Sequence, residues 1–282
     1  MGKKVILTID DAPSAAFEKT LNILEEQGIQ AIFFCQGNKI NGKECLLTKA
    51  IREGHIIGNH GFSHRYFSDL SLRECFEEIK LTSQLIHSLY VDSGVKDYHR
   101  LFRFPYGDKG DFRYGHHFWT IGRALNHHRP FWWRMIHKVS DLIGTSSEVK
   151  RSMLGEKRKL DIQSYLKELG YDNCGLTSIS YNYMADLMRD VDWPWTIDVG
   201  EWQYYRRGFN DKVIHEILTR LAGETPYLGY GEVNENRGLR LGSSDEILLF
   251  HDHECTTHIL NSLIRTIEEL DCEFYLPELC NQ

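Results

Sequence analysis

Apolar and polar positions in the first third of the chain switch repeatedly between two periods. Val5-Ile6-Leu7-Thr8-Ile9 is a nearly continuous apolar run ending on Asp10-Asp11, as expected of a strand buried on both faces. Pro13-Ser14 then opens a helical pattern with Phe17, Leu21 and Leu24 on one face, stopped by Gly28. A second buried strand is predicted over Ala31–Cys35, a helix over Glu44–Glu53 ending at Gly54, and a short strand at Ile56-Ile57 leading into Asn59-His60. A longer helix starts near Ser71, where Ser71 and Glu74 have capping-box spacing, with Leu72, Phe76, Ile79 and Ile86 at roughly helical intervals. Leu101–Phe104 reads as a strand that runs into Pro105-Tyr106-Gly107.

The rhythm returns late in the chain. Trp195–Val199 reads as a strand, Asp211–Leu221 as an amphipathic helix and Ile247–Phe250 as a buried strand ending at His251. Leu260, Ile264 and Ile267 mark a helix, and Phe274–Leu276 a last strand. Alternation of this kind predicts an α/β fold with a parallel sheet and helices outside. Every polar cluster of interest follows a strand, where such folds place their chemistry. Residues 108–192, rich in Arg, His and aromatics, break the pattern and are predicted to form a mostly helical insertion, not an independent domain.

Composition narrows the class. At 282 residues the chain suits one α/β barrel, and 41% hydrophobic with 26% charged residues is ordinary for a globular protein. A formal charge of −7 argues against an electrostatic grip on nucleic acid. Seven cysteines, an odd count with no Cys-x-x-Cys pair, argue against a disulfide framework or a zinc ribbon and point to free thiols. The pattern of a secretory leader is not visible, nor is an apolar run of membrane-spanning length, so a cytoplasmic location is expected.

The chemistry rests on five segments. His60 and His64, with three residues between them, can face one metal from a turn or tight loop, although with fourteen histidines a chance pair is equally expected. Asp10 and Asp11 repel each other unless a cation takes one of them; a solvated turn or helix cap is their plainer role. Arg103 precedes a Pro-Tyr-Gly turn, from which an arginine can orient a carboxylate. Asp198-Val199-Gly200-Glu201-Trp202 follows a predicted strand, and His251-Asp252 tops the last long apolar run, where a general acid can stand.

In this order the segments resemble the polysaccharide deacetylases, the NodB-homology domain of carbohydrate esterase family 4. The match is carried by Thr8-Ile9-Asp10-Asp11, by Gly54 to His64, by Arg103 to Gly107, more loosely by Asp198 to Trp202, and by His251-Asp252, so it covers roughly 4–107 and 195–278. The resemblance implies one deacetylase domain over 1–282, built as a distorted (β/α) barrel of about seven strands. It implies a divalent metal, usually zinc, on Asp11, His60 and His64; cobalt, nickel and manganese also suit such ligands. It further implies Asp10 as general base, Arg103 orienting it, and His251 as general acid, with Asp198 bonded to His251 or Arg103. The Tyr106 N–H would stabilise the oxyanion, and Trp202, Tyr106 and Pro105 would meet the substrate. That substrate is an N- or O-acetylated carbohydrate; the alternatives are a hydrolase of non-sugar amides on the same barrel and a non-catalytic sugar-binding module.

Three departures from the family pattern stand out: Gly61 for the usual Ser/Thr, Glu201 for the second aspartate of the fourth motif, and the insertion after Gly107. Within the insertion His116, His117, Trp119, His127, His128, Trp132, Trp133 and His137 read most simply as packing residues, with sugar stacking or peripheral membrane contact as alternatives. His55 is expected to be structural, and Asp252-His253-Glu254 a polar loop.

Overall fold

The structure, a computed structural model, describes residues 2–111, 144–173, 176, 178–181, 184–202, 210–224, 238–242, 244–254 and 257–277, with backbone alone for 144–152. Six parallel strands form one sheet: β1 (Lys3–Ala12), β2 (Ile32–Cys35), β3 (Ile56–Asn59), β4 (Ile197–Asp198), β5 (Glu246–His251) and β6 (Cys272–Phe274). The order is β3-β2-β1-β5-β4, and β6 pairs the start of β1. Helices α1 (Phe17–Gln27), α2 (Glu44–Arg52), α3 (Leu72–Ser93), α4 (Gly144–Glu168), α5 (Met184–Leu187), α6 (Asp211–Ala222) and α7 (Thr257–Glu269) connect and flank it. None of the described helices is long and apolar enough to cross a membrane.

The apolar run of β1 is continuous because its two faces enter two cores. Val5, Leu7 and Ile9 pack with Phe17, Leu21 and Leu24 of α1 and with Leu260 and Ile264 of α7. Ile6, one residue out of phase, packs with Ile32, Phe34, Leu101 and Trp193. Thr8 and Asp10 continue the second face, which is why a buried polar pair arises at the strand's end. The helix ends follow the expected signals. Gly28 closes α1 in the left-handed region at φ 66°, and Ser71 with Glu74 forms a complete capping box on α3. His55 is structural, as expected: it is buried, its Nδ1 accepts the Ala31 N–H at 3.0 Å, and it sits edge-on to Phe33.

The barrel expected from the resemblance is not closed among the described residues, and six strands are seen, not seven. Leu101–Phe104 contributes a single bridge, Phe102 to Asn59, in place of a strand. Beyond it only Trp193 N–H reaches the Phe102 carbonyl, at 2.8 Å. Pro105 ends one segment and Pro194 interrupts the other, and neither ring can donate to a ladder. The last strand lies slightly earlier than predicted, at Cys272–Phe274, because there it meets Lys3–Val5.

Residues 112–143, with the His, Trp and Arg cluster predicted to pack the insertion, lie outside the described residues. Helix α4 packs Ile162 and Leu166 onto Phe67, Phe102 and Phe104. Cys35, Cys45, Cys75 and Cys272 are free thiols; Cys174, Cys255 and Cys280 are outside the described residues.

Candidate active site and metal centre

Parallel register brings the strand ends to one edge. Asp10 lies beside His251 across β1 and β5, and Asn59 beside Cys35 across β3 and β2, which places His60 two strands from Asp11. One donor atom each from Asp11, His60 and His64 lies within 4.8 Å of the others. His64 Nε2 is 2.9 Å and His60 Nε2 3.7 Å from Asp11 Oδ1, and His60 Nε2 is 3.6 Å from Asp10 Oδ2.

The imidazoles are aimed from behind. His60 Nδ1 is 2.8 Å from the Arg103 carbonyl, so Nδ1 carries the proton and Nε2 turns its lone pair to the carboxylates. Burial pushes the His60 imidazole down to about 4, which keeps it neutral and able to ligate. His64 Nδ1 meets the Tyr106 hydroxyl at 3.1 Å. Burial alone would raise the Asp11 carboxyl, yet His253, His64 and His60 together hold it well below the usual range. Two carboxylates and two imidazole nitrogens converging on one point are a donor set that suits a divalent cation, and two His with one Asp leave coordination positions open.

The loop from His60 to His64 is held by groups the sequence did not announce. Glu78, one α3 turn past Cys75, accepts the Phe62 and Ser63 N–H groups at 2.8 and 2.7 Å and the Ser63 hydroxyl at 2.6 Å. Asn59 accepts the Gly61 N–H at 2.8 Å while its amide donates to the Ile79 carbonyl and the Tyr171 hydroxyl. Gly61 has φ +73°, a conformation a serine adopts only with strain, so glycine here suits the turn. Asp11 (φ 66°), His64 (φ 56°) and Tyr106 (φ 60°) also occupy the left-handed region, which concentrates backbone strain at this site.

Arg103 is 1% exposed and lies under Asp10. Its Nη1 donates to Asp10 Oδ1 at 2.8 Å and to Thr8 Oγ1 at 2.7 Å, its Nε to the Trp193 carbonyl and its Nη2 to the Pro194 carbonyl. The guanidinium also lies 4.3 Å from the Phe34 ring centroid. Asp10 and Arg103 are therefore brought together as the resemblance implied.

His251 stands at the end of β5, and the carboxylate on its Nδ1 is Glu201, at 2.6 Å. Glu201 also accepts the His251 N–H at 2.8 Å, and it is fully buried. Burial disfavours the imidazolium, but Glu201, with Asp11 and Asp198, overcomes this and raises His251 to about 10. Asp198, expected to bond His251 or Arg103, accepts the Gly200 N–H at 2.8 Å and the Trp202 indole N–H at 3.2 Å. Burial and then the neighbouring Glu201 push Asp198 up to about 6. Sequence reading passed over Glu201 as a partner, although its place before Trp202 in the Asp-x-x-Asp-Trp pattern was the available signal.

Tyr106 is 43% exposed and its ring stacks on Tyr66 at 3.9 Å, with its edge toward His64. Pro105 is buried at the start of the same turn, and Gly107 lies against Trp195, where a Cβ would come within 2.8 Å of the ring. Asp252 is structural: it accepts the Ser14 N–H at 2.6 Å and the Thr20 hydroxyl at 3.1 Å. His253 Nε2 lies 3.6 Å from Asp11 Oδ2, nearer the centre than a plain polar loop requires.

A parallel α/β sheet with an Asp/His2 cluster at its carboxyl edge defines the class, and comparison with known proteins agrees with it. Residues 1–128 match the family profile described as Polysaccharide deacetylase. The first 128 residues are thus similar to the polysaccharide deacetylases. The putative polysaccharide deacetylase YheN of Bacillus subtilis is 23% identical over 280 residues, which are 98% of this chain and 67% of YheN. The peptidoglycan-N-acetylmuramic acid deacetylase PdaC of Bacillus subtilis is 32% identical over 110 residues, 39% of this chain and 22% of PdaC. The fold is shared with a family 4 carbohydrate esterase from Streptomyces lividans solved with acetate, at TM-score 0.55 and 17% identity over 97% of this chain and 92% of that one. It is shared as well with BA3943 of Bacillus anthracis, a pseudoenzyme of that family, at TM-score 0.53 and 16% identity over 97% of this chain and 63% of that one.

Proposed function

We propose that the protein is a metal-dependent deacetylase that hydrolyses an N- or O-acetyl group on a carbohydrate or glycoconjugate. The observation that carries this is the Arg103-held Asp10 standing beside the Asp11, His60 and His64 cluster. Those three residues would hold the cation, zinc or a similar divalent ion. When bound, such an ion lowers the pKa of water and polarises a carbonyl.

The chain's own groups supply the rest. Arg103 occupies Asp10 Oδ1, so Oδ2 is the oxygen that takes the proton of the attacking water. The Tyr106 N–H, turned by its left-handed backbone, is assigned to the developing oxyanion. His251 is held at Nδ1 by Glu201, so the proton on Nε2 is the one delivered to the leaving amine or alkoxide. Trp202, which bonds Asp198, and Pro105 are assigned to the acetyl side, and the Tyr66–Tyr106 ring pair beside His64 offers an aromatic surface of the kind that pyranose rings use. That ring pair favours a sugar over other amides.

The test is acetate release from an N-acetylglucosamine pentamer and from acetylated peptidoglycan, before and after chelation and zinc return. The expected result is activity lost on chelation and restored by zinc, and a kcat on the order of 10²–10³-fold lower in Asp10→Asn. Release only from non-sugar amides would move the protein to a different substrate class. Binding of the pentamer with no release under any metal would make it a non-catalytic sugar binder.

A further inference from the structure

Arg103 orients Asp10, and apart from Thr8 and the Phe34 ring the groups that hold its guanidinium lie outside the sheet. Two of its donors end on the carbonyls of Trp193 and Pro194, at 3.1 and 3.0 Å, in a strap that carries no strand ladder before β4. The strap is fixed one to four residues upstream by a buried polar cluster outside the five motif segments.

Gln163 of α4 grips the strap with both ends of its amide. Its Oε1 accepts the Val191 N–H at 2.8 Å, and its Nε2 donates to Asp192 Oδ1 at 2.7 Å. Lys109 binds Asp190 at 2.8 Å and Asp192 at 3.0 Å, and Lys159 binds Asp190 at 2.7 Å. Lys159 and Gln163 are four residues apart, so one helix face meets the strap. Gln163 is 4% exposed, Asp192 3% and Lys109 7%. Lys109 also follows directly on the Tyr106 turn, and neighbouring Asp108 accepts the Ser68 N–H and hydroxyl at 2.8 and 2.6 Å, just beyond the His60–His64 loop.

A buried ion cluster is a poor way to gain stability, because desolvation offsets most of the attraction; fixing one register is its better-attested use. Here the registered element is the pair of carbonyls that set the guanidinium. We propose that Gln163 and Lys109, acting through Asp190 and Asp192, are positioning residues for Arg103 and hence for the base Asp10. The inference rests on the deacetylase reading only for the role of Asp10. It assigns to α4, which lies beyond the family-profile match at 1–128, a part in the reaction.

The experiment compares wild type with Gln163→Leu, in 15N-arginine-labelled protein, by solvent exchange of the Arg103 Nε–H; Arg103→Lys identifies that resonance by its disappearance. Exchange at least about tenfold faster in Gln163→Leu, at a melting temperature that still leaves the protein folded, is expected. With the N-acetylglucosamine pentamer, kcat should fall on the order of tenfold while KM stays within about twofold. In an Arg103→Lys background the same substitution should cost nothing further, since the coupling is already cut. If Gln163→Leu does not fold, Lys109→Met is measured in the same way. Unchanged exchange, or an equal kcat loss in both backgrounds, overturns the proposal. A wild type that releases no acetate would sink the deacetylase reading, while the exchange measurement still decides whether Gln163 holds Arg103.

Discussion

Glu201 is the residue on which sequence and structure part most informatively. The sequence offered two acids in the segment of β4, Asp198 and Glu201, and the resemblance implied the first as a partner of His251 or Arg103. The structure gives the Nδ1 hydrogen bond to Glu201, whose extra methylene lets its carboxylate reach both the ring and the backbone N–H of His251. Such reach depends on the path of a turn and is not written in a residue spacing. The consequence is a pH effect with a definite sign. His251 sits at about 10 because Glu201's charge and hydrogen bond outweigh burial, so it is protonated and ready to donate at neutral pH. In Glu201→Gln the anion is gone and burial pulls the imidazole down. The alkaline limb of kcat/KM for an amide substrate should therefore move to lower pH, with activity lost first on the basic side. A pH–rate profile checks this, and a limb that stays in place would remove His251 from the acid role.

Most elements were legible because their signals are local. Phe17, Leu21 and Leu24 with Gly28 specify α1, and all three apolar residues are fully buried. Ser71 and Glu74 specify the start of α3, and the capping box is present with Ser71 Oγ accepting the Glu74 N–H at 3.2 Å. Ser71→Ala should lower stability by about 1 kcal/mol in denaturant unfolding and leave kcat unchanged. A loss of activity at unchanged stability would mean that the cap matters for more than the helix. What failed at this scale was Leu101–Phe104, which reads as a strand running into the Pro105-Tyr106-Gly107 turn. Its neighbours pair with it at one or two backbone groups only, and partner number is a property of the assembled sheet. Glu78 was equally hidden: on α3 it looks like any exposed helix carboxylate, and its role appears only when the His60–His64 loop lies across it.

For the molecule as a whole, strand–helix alternation correctly gave a parallel α/β sheet with its polar residues at one edge. The distorted barrel of about seven strands came from the resemblance, and among the described residues the sheet is open, with prolines at 105 and 194 in the segments that pair least. The segments that meet at the candidate site were readable, because four of the five follow strands whose parallel register brings their ends together, while Arg103 arrives beside a single bridge. The network from α4 to Arg103 was not readable, since it joins Lys109, Lys159, Gln163, Asp190 and Asp192 through contacts with no common spacing.

The central claim is that Asp11, His60 and His64 grip one divalent cation. The most direct measurement is an anomalous difference map at the zinc edge from crystals grown with zinc. The account predicts one strong peak about 2.0–2.2 Å from a carboxylate oxygen of Asp11 and from one ring nitrogen each of His60 and His64. An empty site at saturating zinc in protein that still releases acetate, or a peak held by other residues, would contradict it.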